Sequence, residues 1–135
     1  MKRRGFLFAS MAAACALASG VAFAGSYLDR AALMLETGKR EADAIKTRTG
    51  DKEMLLVVKA STEARVKVAR KMNVPAAVVD AHPHLLLVLE NHERAAEAAK
   101  DGNPQRFLVY HQRARDEERV LRGVLKQLGF PLPGK

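Results

Sequence analysis

The chain has 135 residues, 48% of them hydrophobic and 28% charged, with a formal net charge of +8, one cysteine and no tryptophan. This length sets one domain with one core, and a lone cysteine excludes a disulfide framework or a sulfur-rich metal site. Few aromatics among dispersed basic residues argue against nucleic-acid binding.

Residues 1–24 read as an export signal. Lys2, Arg3 and Arg4 form a basic start and Phe6 to Ala18 an alanine-rich apolar stretch. Ala22-Phe23-Ala24 is a small-x-small cleavage site, so Gly25 begins the mature protein. A retained membrane anchor is the alternative, but the stretch is short and broken by Ser19-Gly20, which favours cleavage. Arg3-Arg4-Gly5-Phe6-Leu7 resembles the twin-arginine export signal, whose arginine pair precedes a spacer and two apolar residues. Export by that route or by the general Sec route implies a bacterial periplasmic or secreted protein. Cys15 falls inside the signal, and Ala12 stands where a lipoprotein signal wants leucine. The mature chain then has no cysteine, no transmembrane segment and a net charge of +5, from 20 Lys and Arg against 15 Asp and Glu.

Residues 25–135 read as a single domain of four helices. Leu28, Ala31, Leu35, Gly38, Ala42 and Ile45 recur at steps of three and four, predicting a helix from Tyr27 to Thr47 capped by Ser26. Gly38 faces inward at a cost of roughly 1 kcal/mol against alanine, so its use is to admit a neighbouring helix or a bulky side chain. After the turn Thr47 to Asp51, which ends in a capping residue, a second helix runs from Lys52 to Met72 and is expected to bury Met54, Val57, Ser61, Ala64, Val68 and Met72. Ser61 is expected to bond back to its own preceding turn.

Asn73-Val74-Pro75 ends that helix, and His82-Pro83-His84 precedes the next, with Pro83 marking a kink or a first turn. The third helix presents Leu85, Val88, Leu89, Ala95, Ala96 and Ala99 on one arc, with His92 at its centre. Gly102 closes it, Asn103 caps the fourth helix and Pro104 fits its first turn. Phe107, Tyr110, Ala114, Leu121, Val124, Leu125 and Leu128 form the last stripe, with His111 and Glu118 on one margin and Glu117 on the other. Gly129-Phe130-Pro131 reads as a stop. Four matched helices on short turns predict an all-α, antiparallel up-down-up-down bundle.

His92 and His111 lie about eight residues either side of a tight turn, which sets their imidazoles at one level, with Glu93 and Glu118 as near neighbours. Two readings follow. In the first, His92 is a buried histidine bonded to Glu118 or Tyr110, and the protein acts by binding rather than catalysis, with no cofactor. In the alternative, His92, His111 and Glu118 hold a divalent transition metal, with His82 and His84 as a weaker H-x-H pair. The chain has no Glu-x-x-His and no motif for covalent haem attachment or nucleophilic catalysis. Arg115, Arg119, Arg122 and Lys126 follow one helical face, which would suit an envelope component or a protein partner. Helical pairs such as Glu63 with Lys67 and Glu118 with Arg122 would neutralise such faces instead.

Overall fold

The computed structural model describes the backbone of residues 2–133 and the side chains of residues 24–133. It contains α1 (Lys2–Thr47), α2 (Lys52–Arg70), a 3₁₀ turn (Ala76–Val78), α3 (His82–Lys100) and α4 (Pro104–Gln127), with no strand among the described residues. The assigned export signal lies outside the described side chains, apart from Ala24. Among the described residues, no helix is long and apolar enough to cross a membrane.

The stops and starts follow local chemistry. Asp51 and Asn103 each accept the amide of the third residue on, from Met54 and Arg106 at 3.0 and 3.1 Å. Each such cap is worth about 1 kcal/mol. At the far ends Gly102 and Gly129 adopt φ of 73° and 89°. Both close paired bonds: Asn103 to Ala98 and Gly102 to Ala99, then Phe130 to Leu125 and Gly129 to Lys126. Phe130 folds back onto the core. Pro83 occupies the first turn of α3, where its missing N–H costs nothing. Ser26 is not a cap, because α1 runs through it without a break.

The inward face of α1 is the expected one: Leu28, Ala31, Leu35, Gly38, Ala42 and Ile45 are all buried. The face of α2 is not. Leu55, Val58, Thr62, Val66 and Ala69 go inward, while Val57 and Val68 are 68% and 56% exposed. Stepping 100° per residue sets the two stripes about 120° apart, each with several large aliphatics. Apolar content therefore does not choose between them. The chosen orientation hides Thr62, whose hydroxyl donates to Lys59 O at 2.8 Å, and swings Arg65 onto Glu41 of α1. Thr62 thus makes the backward bond expected of Ser61, which instead accepts from Arg65 Nη2 at 3.0 Å.

The core is two apolar clusters. One gathers Tyr27, Leu35, Val66, Leu85, Val88, Leu89, Leu121 and Leu125; the other gathers Ala42, Ile45, Leu55, Val58, Ala95, Ala96 and Phe107. On every helix the inward positions between these clusters are held by polar or small residues: Gly38 and Glu41, Thr62 and Arg65, His92, and His111. That interruption positions the candidate site.

Candidate functional site

His92 leaves α3 from between Leu89 and Ala95, both buried, and lies on Gly38 of α1. A Cβ built at position 38 would overlap Cε1 and Nδ1 of the imidazole. The inward glycine therefore admits a bulky side chain, and that side chain is His92. Its Nδ1 is buried without a hydrogen-bond partner. Burial, helped by the charge of Arg65, pushes its pKa down to about 4 against the opposing pull of Glu118. The imidazole is neutral across the physiological range.

His111 stacks on Phe107 one turn earlier, with ring centroids 5.6 Å apart and an interplanar angle of 5°. Its Nδ1 is also buried without a partner. Burial lowers its pKa, the cations Lys46 and Arg115 lower it further, and Asp43 opposes them. The ring forms part of two walls. Inward, His111 and His92 line one cavity of about 10 Å³ with Gly38, Glu41, Thr62 and Phe107, a space of roughly one water. Outward, His111 lines an open cleft of about 220 Å³ between α1 and α4, with Lys39, Asp43, Lys46 and Arg115.

The two histidines thus share a cavity, as their spacing predicted, but the carboxylate beside them is Glu41. Glu118 is held by Lys39 at 3.4 Å and Arg122 at 3.2 Å and forms no bond to His92. Tyr110, the other expected partner, lies between Arg106 and Arg113, each within 6 Å of its ring. Glu93 lines a separate surface with Arg70, Glu90, Arg94 and Glu97. Sequence reasoning missed Glu41 and Arg65, whose side chains are only 14% and 9% exposed. The available signal was their position beside the inward Gly38 and Thr62.

His82 and His84 diverge. His82 Nε2 donates to Ala69 O at 3.0 Å, which leaves Nδ1 to accept the Tyr27 hydroxyl at 2.8 Å. Both nitrogens of a neutral ring are used. His84 turns to α4, its Nδ1 3.6 Å from Glu117. Among the described residues, no three His, Cys, Asp or Glu side chains converge in a metal-holding group.

The basic face of α4 is neutralised only in part. Arg122 pairs with Glu118 at 3.2 Å, as the i,i+4 spacing anticipated, and Arg119 pairs with Asp116, three residues earlier, at 3.3 Å. Glu63 pairs with Lys59 rather than Lys67, at 3.3 Å. Most Lys and Arg side chains among the described residues form no ion pair, Lys46, Arg115 and Lys126 among them. Two of these three line the α1–α4 cleft.

No family model, no curated protein and no solved structure matches this chain.

Proposed function

We propose that this chain is a bacterial exported helical bundle, periplasmic or secreted, that acts by binding an anionic ligand in the cleft between α1 and α4. One observation carries the reading. Lys46 and Arg115 approach that cleft from two helices without a carboxylate partner, and a cation left unpaired at a concave surface favours an incoming anion. The basic start, apolar stretch and small-x-small site of residues 1–24 support export. The two apolar clusters alternate in order along successive helices, which supports up-down-up-down packing.

The anion has two sources with the same chemistry, a lipid headgroup and a free oxyanion. The mature protein should be tested by co-sedimentation with phosphatidylglycerol vesicles against phosphatidylcholine ones, and separately by calorimetric titration with inorganic phosphate. Binding in either arm that weakens in the double variant Lys46→Glu, Arg115→Glu supports the reading. No binding in both arms, or a double variant that binds as wild type does, overturns it.

The unpartnered Nδ1 atoms of His92 and His111 on one cavity favour a second reading, a divalent transition metal held with Glu118 or with Glu41. The charge of Arg65 beside His92 opposes a cation there. Elemental analysis of the protein purified from its native compartment, with melting measured before and after chelation, tests it. Stoichiometric metal and a melting point that falls on chelation would support this reading over the first.

A further inference from the structure

Resting on the reading of the α1–α4 cleft as a binding surface, we infer that its ligand is a compact, doubly charged tetrahedral oxyanion. Lys46 and Arg115 hold it from opposite walls, and the protonated His111 ring donates to it, so that capture strengthens on mild acidification.

Size is the first argument. The cleft of about 220 Å³ is smaller than the roughly 300–1,000 Å³ of sites that enclose drug-sized molecules. It is open to solvent, and every residue that lines it carries a chargeable group, which suits a small hydrated anion.

Charge is the second. Lys39 in the lining is committed to Glu118, 3.4 Å away. The uncommitted groups are then Lys46 and Arg115 against the single carboxylate Asp43, an excess of one positive charge. Protonating His111 raises that excess to two and makes an N–H donor of both ring nitrogens, of which Nε2 is the one not enclosed. A dianion matches the second state better than the first.

The surroundings of His111 point the same way. Across the cleft it faces Lys39, Asp43 and Lys46 of α1 and Arg115 of its own helix. Across the inner cavity it faces Glu41 of α1, Thr62 of α2 and His92 of α3, with Arg65 of α2 joined to Glu41. Glu41 is neutralised by Arg65 and Glu118 by Lys39 and Arg122, so neither leaves an uncompensated negative charge to protonate the ring in advance. Burial first, and then the cations Lys46 and Arg115, disfavour its proton while the cleft is empty of anion. A bound dianion cancels those cations and favours the proton, and by linkage the proton favours the anion to the same degree.

The test uses sulfate, which stays doubly charged over the range and so keeps ligand titration out of the result. Sulfate is titrated calorimetrically into the mature protein at about pH 7.5 and about pH 6, values that bracket the ordinary histidine range. The His111 ring is followed in parallel by NMR across a pH series with and without sulfate. The expected result is sulfate binding that tightens about tenfold at the lower pH, the worth of one added charge-assisted hydrogen bond. The His111 pKa should rise when sulfate is present. His111→Phe, which keeps the stack on Phe107, should bind at both pH values with the weaker affinity. Asp43→Asn should tighten binding at both. Sulfate binding with no pH dependence, an unmoved His111 titration, or His111→Phe retaining the acid gain overturns this inference while leaving the cleft as an anion site. No sulfate binding at either pH, together with no phosphate or vesicle binding, overturns both.

Discussion

Replacing Gly38 with alanine tests the way α1 and α3 meet. In an exposed helix this change stabilises by roughly 1 kcal/mol, because alanine loses less backbone freedom on folding. At position 38 the added methyl would overlap two atoms of the His92 ring. The ring has little room to retreat, since the adjoining cavity is only about 10 Å³ and is walled by Ala95, Ala96 and Phe107. The helices must then separate or the ring must leave its rotamer, an overpacking cost of about 1–3 kcal/mol, and the double overlap places it at the upper end. The net expectation is a loss of about 2 kcal/mol in urea unfolding followed by far-ultraviolet circular dichroism. In a His92→Ala background the obstacle is gone, and Gly38→Ala should stabilise by up to about 1 kcal/mol. The coupling between the two sites is then about 3 kcal/mol, large for a pair with no hydrogen bond between them. Stabilisation by Gly38→Ala in the wild type, or an equal effect in both backgrounds, would refute the packing of His92 on Gly38.

Acid should weaken the fold in a defined window. The folded pKa of His92 lies below its unfolded value, so this stability is present above about 6.5 and is lost as pH falls toward about 4. The shift corresponds to about 3 kcal/mol, and His82 and His111 move in the same direction. His92→Leu should remove most of the loss, and a variant whose pH profile matches wild type would count against burial as its cause. The two tyrosines should ionise separately in an ultraviolet titration, because burial pushes Tyr27 up to about 12 while the arginines flanking Tyr110 lower it. One shared step near the ordinary value would contradict both placements. Glu41→Gln should cost about 3 kcal/mol by stranding the nearly enclosed guanidinium of Arg65, and the double change Glu41→Leu, Arg65→Met should recover most of it. Equal losses in the single and double variants would show that the ion pair is not what holds α1 to α2.

The local grammar of this chain was legible from its residues. Asp51 and Asn103 as caps, Gly102 and Gly129 past helix ends, Pro83 and Pro104 in first turns, and the inward face of α1 all follow from rules acting over four or five residues. So did the approach of His92 to His111, because a three-residue turn fixes which residues of α3 and α4 share a level. The orientation of α2 was not legible. Two stripes of similar apolar content competed, and the contact of Arg65 with Glu41, 24 residues away, accompanies the one that is buried. The partners of His92 were likewise out of reach. Spacing along α3 and α4 pointed to Glu118 or Tyr110, but arginines and a lysine claim both, and the imidazole packs on a glycine from α1. A helix face is set by periodicity within one segment. Which of two faces wins, and which charge meets which, depends on side chains brought together only when the separate helices pack.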